Sequence, residues 1–136
     1  MDAIAITTSM KAKGLRITPQ RFAVYANLLE RCDHPTVEQI FADLNQQFAL
    51  TSRATIYSTL ATLVEAGLVQ QVWLEDGIAR FDANMQPHHH FCCRRCHQIT
   101  DIPWQVFAPP QLDLLDQGLQ VDSYSAIIYG DCDRCP

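Results

Sequence analysis

Two matched pairs of cysteines constrain the fold of this chain more than any other feature. Cys93 and Cys96 form one Cys-x-x-Cys pair, Cys132 and Cys135 form the second, and 35 residues separate the pairs. Four thiolates brought together by two tight turns complete a tetrahedral structural zinc site. Such a site would pin the end of the chain onto a domain built between the pairs, so zinc binding would be part of folding. Disulfides or redox-active thiols are the alternatives.

The cellular compartment helps to decide between zinc binding and disulfide formation. The sequence begins Met1-Asp2-Ala3-Ile4, without the basic start of a secretory signal, and no stretch approaches the ~20 apolar residues of a membrane span. We therefore expect a cytoplasmic protein, where such pairs more often bind metal than form disulfides. Cys32 and Cys92 lie outside the pairs and are expected to be small buried hydrophobic residues. The chain has 136 residues, 48% apolar and 18% charged, which suffices for one ordinary domain or two small ones.

The front half of the chain predicts three short helices. Thr18 and Pro19 form a cap and first turn for a helix that ends near Arg31. A capping box at 36–39 opens the second helix, with Val37, Ile40, Phe41 and Leu44 on one face. The third helix begins after Thr51-Ser52 and ends at Gly67. Each of the three should bury one apolar face.

Two strand-like runs follow the helices. Residues 68–74 and 78–81 are separated by Glu75-Asp76-Gly77, which predicts a β-hairpin. Three helices followed by a hairpin make a winged helix-turn-helix, in which the last helix enters the DNA major groove. We therefore predict an α/β (α+β) protein with a winged-helix DNA-binding domain over residues 1–83, a hinge at 84–87 and a second domain over 88–136.

Charge is unevenly distributed along the chain. The formal net charge is −5, yet residues 10–60 hold six basic against four acidic residues, or +2, whereas residues 88–136 hold three against six, or −3. A basic front half is compatible with binding to DNA, although an exposed helix face is the simpler interpretation of its polar residues. The residues that we expect to contact DNA are Lys11, Lys13, Arg16, Arg21, Arg53, Thr55, Tyr57 and Ser58.

A run of three histidines precedes the first cysteine pair. Residues 88–92 look extended, so His88 and His90 should point to one face of a strand and His89 to the other. Two imidazoles on one face make half of a metal site. On their own, His34, Asp82 and Asp101 would be interpreted as surface polar residues.

Taken together, these segments resemble the ferric uptake regulator superfamily of bacterial metal-dependent repressors. The matching motifs are Gly14-Leu15-Arg16-Ile17-Thr18-Pro19-Gln20-Arg21, His34-Pro35-Thr36, Ala54-Thr55-Ile56-Tyr57, Glu65-Ala66-Gly67-Leu68-Val69, Arg80-Phe81-Asp82, His88-x-His90-x-x-Cys93-x-x-Cys96 and Cys132-x-x-Cys135. They span nearly the whole chain. Within the family the chain is most similar to the peroxide-sensing branch.

The resemblance implies a regulatory ion held by three histidines and two aspartates. Carried over to this sequence, these ligands are His34, Asp82, His88, His90 and Asp101. Asp101 is the discriminating position, since iron-uptake and zinc-uptake relatives usually have glutamate there. A ligand set of nitrogen and oxygen suits Fe²⁺ or Mn²⁺, while the four cysteines take structural Zn²⁺. The family also implies a homodimer that binds a double-stranded DNA operator.

The resemblance further implies how peroxide is sensed. Peroxide reacting at a ferrous ion would add one oxygen to the nearest imidazole, His34 or His88, and the oxidised ligand would bind metal poorly. With manganese the reaction should be slow. The rival within the family is an iron- or zinc-responsive uptake regulator without peroxide chemistry. Two other functions are alternatives. One is a non-haem iron or hydrolytic enzyme, which is disfavoured because a winged helix has no evident substrate cleft. The other is a DNA-binding module stabilised by zinc, without a sensor.

Two departures from the family pattern limit what the resemblance carries. The last strand, residues 123–129, contains no histidine, so the third metal site of some relatives should be absent. Ser58 stands where many relatives have a long basic or amide side chain, which alters the expected base-reading pattern. A helix from Pro110 to Gln117 and a strand from Leu119 to Tyr129 are expected to complete the dimerisation domain.

Overall fold

A computed structural model describes residues 2–47 and 51–135. The chain divides into two compact units, Met1–Met85 and Gln86–Pro136, which are described separately below. Within the described ranges, every helix is too short or too polar to cross a membrane.

The described part of the first unit, residues 2–47 and 51–85, contains four helices followed by a two-stranded hairpin. The helices are α1 (Ala3–Ala12), α2 (Pro19–Glu30), α3 (Val37–Gln47) and α4 (Arg53–Glu65), and the strands are β1 (Gln70–Trp73) and β2 (Ala79–Asp82). The strands pair antiparallel, with Gln70 opposite Asp82 and Trp73 opposite Ala79. The order of α2, α3, α4 and the hairpin confirms the predicted winged helix.

The predicted helix ends are formed by side-chain caps. Thr18 accepts a hydrogen bond from the backbone N–H of Arg21 at 3.2 Å, with Pro19 in the first turn. Thr36 and Gln39 form the reciprocal capping box: Gln39 N–H donates to the threonine hydroxyl at 3.2 Å, and Thr36 N–H donates to the glutamine side chain at 2.9 Å. Gly67 ends α4 with a φ of +79°, a left-handed conformation that costs a glycine little.

The core of the first unit is made of hydrocarbon side chains from all four helices and the hairpin. Met10, Ile40, Ile56 and Leu63 are completely buried in it. Helix α1 was absent from the sequence-based prediction. Its residues include β-branched isoleucines and threonines, so its helical tendency is weak, and packing of Ile6 and Met10 into this core stabilises it instead.

The second unit is a three-stranded sheet with β3 (His88–Cys93) in the centre. Strand β4 (Ile99–Pro103) pairs antiparallel with β3, and β5 (Ile127–Gly130) pairs parallel to it. The extended conformation predicted for the histidine run is confirmed. The side chains of β3 are buried on both of its faces, including all three histidines.

The segment between β4 and β5 differs from the prediction. The expected helix from Pro110 to Gln117 is wrong, since this part contains only a single 3-10 turn at Leu112–Leu114. The expected strand from Leu119 to Tyr129 is too long, since β5 covers only Ile127–Gly130. The apolar residues of the segment are exposed in the single chain, so no core is present to fix a helix or a longer strand.

The two cysteines outside the Cys-x-x-Cys motifs also differ from each other. Cys92 is buried, as predicted, in β3. The expectation that Cys32 is buried is wrong, because it follows the end of α2 and is exposed. A cysteine is buried only where its position faces the core. Cys32 lies in the loop that connects α2 to α3, and loops run over the surface.

Candidate metal centres and nucleic-acid interface

The four paired cysteines converge at one end of the sheet in the second unit. Their sulfur atoms lie 3.4 Å apart for Cys93 and Cys135, 3.6 Å for Cys96 and Cys132, and 3.4 Å for Cys132 and Cys135. A tetrahedral zinc ion with Zn–S bonds of about 2.3 Å would separate its sulfurs by about 3.8 Å. The spacing fits one tetrahedral ion with a small outward movement of the sulfurs, so these four residues could hold zinc.

Backbone N–H groups prepare one of these sulfurs for binding a cation. The N–H groups of Cys96 and Cys132 donate to Cys93 Sγ at 3.5 and 3.4 Å. These hydrogen bonds lower the pKa of Cys93 to about 6, because they stabilise the thiolate. The neighbouring thiols raise the pKa of Cys135 to about 12. Among crowded sulfurs the first negative charge settles on Cys93, and a cation favours ionisation of the rest.

A second cluster in the same unit contains two imidazoles and a carboxylate. His88 Nε2 lies 3.0 Å from His90 Nε2, and Asp101 Oδ1 lies 3.6 Å from the first nitrogen and 3.9 Å from the second. The strand register brings this about: His88 and His90 share a face of β3, and Asp101 on β4 is directly opposite His90. Two nitrogens 2.1 Å from one ion at right angles would be about 3.0 Å apart, so the cluster could hold a metal.

A backbone carbonyl fixes the orientation of the first imidazole. His88 Nδ1 lies 2.6 Å from the carbonyl oxygen of Gln86, so the Nδ1–H donates there and Nε2 keeps its lone pair. A histidine that ligates a metal commonly has its other ring nitrogen held in this way. The tautomer is therefore the one required for Nε2 to bind a cation.

Two further predicted ligands meet within the first unit. His34 Nε2 lies 3.2 Å from Asp82 Oδ2, and both side chains are buried. Phe81 N–H donates to the carbonyl of Pro35 at 3.0 Å, which ties the loop between α2 and α3 to β2 and so brings His34 beside Asp82. His34 has a φ of +55°, a left-handed conformation that is costly for a residue with a side chain. Such strain marks candidate functional positions.

The middle histidine of the run has a different environment. His89 points to the opposite face of β3, where its ring stacks on Trp104 with centroids 4.5 Å apart and meets the edge of Phe107 at 5.0 Å. Its Nδ1 accepts a hydrogen bond from Ala126 N–H at 2.9 Å. His89 is thus a packing residue of an aromatic cluster, a role that the sequence left unassigned.

The residues predicted to contact DNA all belong to the first unit. Lys11, Lys13 and Arg16 are exposed near the end of α1, whereas Arg21 is half-buried and donates to the carbonyl of Arg16 at 3.0 Å. In α4, Tyr57 is 58% exposed and Ser58 is exposed.

The hydroxyl groups of two α4 residues already form hydrogen bonds within the chain. Ser58 Oγ donates to the carbonyl of Thr55 at 3.0 Å, and Thr55 Oγ1 lies 2.9 Å from Ser52 Oγ. Ser58 therefore keeps only its acceptor lone pairs for an outside partner.

Arg53 is held by two residues of α3. Its Nε donates to Glu38 Oε1 at 2.7 Å, and its guanidinium carbon lies 4.2 Å from the centre of the Phe41 ring. The ion pair raises the pKa of Arg53 and lowers the pKa of Glu38.

Sequence reasoning missed Glu38 and Phe41 as well as the carbonyl of Gln86. Glu38 and Phe41 lie on a helix that the sequence correctly predicts, but their contact with Arg53 depends on how α3 packs against α4. The Gln86 carbonyl is a backbone group, and residue type gives no signal for it. The only hint in the sequence was that Glu38 and Phe41 are three residues apart on one helix and that Arg53 begins the next helix.

Comparison with known proteins finds related sequences along most of the chain. Residues 12–129 match the sequence profile of the ferric uptake regulator family. Over 133 residues the chain is 36% identical to the peroxide-responsive repressor PerR of Staphylococcus epidermidis, covering 93% of this chain and 85% of that protein. It is 35% identical over 133 residues to the peroxide operon regulator of Bacillus subtilis, covering 93% and 88%.

A solved structure extends the similarity to the fold. The crystal structure of the Campylobacter jejuni peroxide stress regulator superposes with a TM-score of 0.69 at 26% sequence identity, covering 99% of this chain and 100% of that one. The chain belongs to the ferric uptake regulator family.

Proposed function

We propose that this protein is a metal-dependent, DNA-binding transcriptional repressor that responds to peroxide. The observation that carries the proposal is the pair of separate ligand clusters, one of four thiolates and one of imidazoles with a carboxylate. The names of the similar proteins, peroxide-responsive repressor and peroxide operon regulator, support the same function. The protein acts in the cytoplasm and is not an enzyme.

The two clusters select different metals. Cys93, Cys96, Cys132 and Cys135 hold Zn²⁺ as a structural ion, because soft thiolates in a tetrahedron are the ligands that zinc prefers. The regulatory Fe²⁺ or Mn²⁺ is bound by nitrogen and oxygen atoms only. Its ligands are His34, Asp82, His88, His90 and Asp101.

The regulatory ligands come from both units. His34 and Asp82 meet within the first unit, and His88, His90 and Asp101 meet within the second. The family resemblance assigns all five to one ion, and such an ion would restrain the hinge at residues 84–87. Restraining the hinge fixes the separation of the two DNA-binding units of a homodimer, which must match half-sites about one helical turn apart. Ligand loss then lowers DNA affinity without altering any DNA contact.

The second unit provides a surface for the partner chain. Its exposed apolar residues include Val106, Phe107, Leu112, Leu114, Leu115, Leu119 and Val121. A run of this kind is typical of a face covered by another protein chain. Double-stranded DNA is bound by the first unit through Lys11, Lys13, Arg16, Arg21, Arg53, Thr55, Tyr57 and Ser58.

Peroxide acts on the ligands themselves. Fe²⁺, when bound, would supply the electron that reduces peroxide to an oxidant of an adjacent imidazole; one peroxide oxygen would be added to the ring and the other would leave as water. His34 and His88 are the imidazoles expected to take up one oxygen atom. His88 keeps its Nε2 lone pair directed to the cluster through the hydrogen bond to Gln86, and the modified ring no longer offers that ligand. The four cysteines are not oxidised in this reaction, because zinc holds their thiolates.

Titration of DNA binding tests the proposal. Affinity for promoter duplexes is measured with Mn²⁺ and with Fe²⁺, each with and without peroxide. We expect both metals to promote binding and peroxide to abolish it only in the ferrous form. DNA binding that does not depend on either metal would indicate a DNA-binding module stabilised by zinc, without a sensor. Metal-dependent binding that peroxide does not reverse in the ferrous form would indicate a sensor of metal level.

A further inference from the structure

Arg53 is the only lysine or arginine among the 13 residues of α4. It is the first helical residue after the Ser52 cap. The residues at the start of a recognition helix are those that contact base edges in the major groove. Under the proposed function, Arg53 is therefore the one long cationic side chain that α4 brings to the bases.

Two side chains of α3 restrict the guanidinium of Arg53. Glu38 accepts the hydrogen bond from Nε at 2.7 Å, and the Phe41 ring lies under the guanidinium plane at 4.2 Å. Glu38 and Phe41 are three residues apart and so lie on the same face of α3. One contact holds the Nε edge of the guanidinium and the other holds its central carbon over the ring, although Arg53 and Glu38 remain 56% and 62% exposed.

The other end of the same guanidinium is available. Among the hydrogen bonds of the residues that the structure describes, those of Arg53 use Nε only, so Nη1 and Nη2 keep their donors for an outside partner. Two parallel N–H donors match the O6 and N7 acceptors of guanine in the major groove. A guanidinium already held in place loses less conformational entropy when it binds.

We infer that Glu38 and Phe41 are positioning residues that hold Arg53 ready to read a guanine. The inference rests on the proposed function, since it presumes that α4 enters the major groove. Glu38 carries a negative charge that repels phosphate, so its presence lowers affinity for any DNA while improving discrimination. That combination distinguishes a positioning residue from a general phosphate contact.

The test uses the full-length, Mn²⁺-loaded protein and DNA that it selects itself. Wild-type protein first selects duplexes from a randomised pool, and dissociation constants are then measured for a selected duplex and for a scrambled duplex of the same composition. Glu38→Gln should tighten binding to the scrambled duplex while the selected-to-scrambled affinity ratio falls about two- to fivefold. Phe41→Leu should lower the ratio without tightening the scrambled complex.

Base chemistry identifies the contact. Replacing a selected guanine by 7-deazaguanine removes the N7 acceptor. This should weaken binding by wild-type protein about tenfold at one position and should not weaken binding by Arg53→Met, which has no donor, at that position. Glu30→Gln is the matched control, because it removes one exposed negative charge from the end of α2 and should leave the affinity ratio unchanged.

Two results would overturn the inference, and they are distinguishable. If wild-type protein selects and binds a duplex but Glu38→Gln and Phe41→Leu keep its affinity ratio, the positioning role is wrong and the proposed function stands. If wild-type protein binds no duplex with Mn²⁺, the proposed function fails as well.

Discussion

The two units of this protein bury different kinds of side chain. The first unit buries mainly apolar side chains from its helices and hairpin, together with His34, Thr59 and Asp82. Among residues 86–135 of the second unit, the buried ones are three histidines, two cysteines and Ile99. Burying apolar side chains stabilises a fold by about 25 cal/mol per Å², whereas buried thiols and imidazoles need partners. The first unit should therefore fold without metal, and the second should depend on zinc.

The largest effect is expected from removing a cysteine of the zinc cluster. Cys96→Ser should abolish zinc binding and unfold the second unit, because a structural zinc ion contributes about 10 kcal/mol or more to the folding of a small domain. Zinc content measured by mass spectrometry and thermal unfolding followed by circular dichroism check this result. The control is Cys32→Ser, since Cys32 is exposed and outside the cluster. Full zinc content in Cys96→Ser would contradict the assignment.

A smaller effect is expected from the carboxylate of the second unit. Asp101→Ala should lower the affinity of Mn²⁺-dependent DNA binding about 100-fold while zinc content and thermal unfolding stay unchanged. Fluorescence anisotropy with a labelled duplex measures the affinity. Asp113→Ala, which removes an exposed aspartate from the same unit, is the matched control. A loss of zinc in Asp101→Ala would show that the two clusters are not independent.

A change at Asp82, the carboxylate of the first unit, tests whether one ion uses both ligand sets, His34 with Asp82 and His88 with His90 and Asp101. In Asp82→Asn the side-chain oxygen can still accept the hydrogen bond from Asn84 N–H at 2.9 Å. The unit should stay folded and Mn²⁺-dependent DNA affinity should fall about tenfold. An unaltered metal response, measured in the same anisotropy titration, would mean that the regulatory ion is held by the second unit alone.

The smallest effect is expected from a helix cap. Thr18→Ala removes the acceptor for Arg21 N–H at the start of α2 and should destabilise the first unit by about 1 kcal/mol. Chemical denaturation should show the change in the first unit only, with zinc content unchanged. A matched control is Thr8→Ala, whose hydroxyl donates to the carbonyl of Ile4 within α1 and caps no helix end. Equal destabilisation by both changes would refute the capping role.

The sequence predicted what is decided by neighbouring residues. Helix caps at Thr18 and Thr36, the glycine that ends α4, and the extended histidine run depend on local spacing and were confirmed. The structure also brings the four paired cysteines together, and their spacing in the sequence was the signal for this.

What the sequence could not give depends on tertiary packing. Helix α1 owes its stability to a core formed by other helices, and the contact of Arg53 with Glu38 and Phe41 exists only once α3 packs on α4. The segment between β4 and β5 has an apolar pattern but no core in the single chain, so its helix and long strand were wrongly predicted.

Histidine oxidation tests the central claim most directly. Protein loaded with Fe²⁺ or with Mn²⁺ is treated with dilute peroxide, digested and examined by mass spectrometry. We expect one added oxygen atom on peptides that contain His34 or His88 in the ferrous sample, and unmodified histidines in the manganous sample. Intact histidines together with oxidised Cys93 or Cys96 in the ferrous sample would contradict the account, because the signal would then pass through the thiolates.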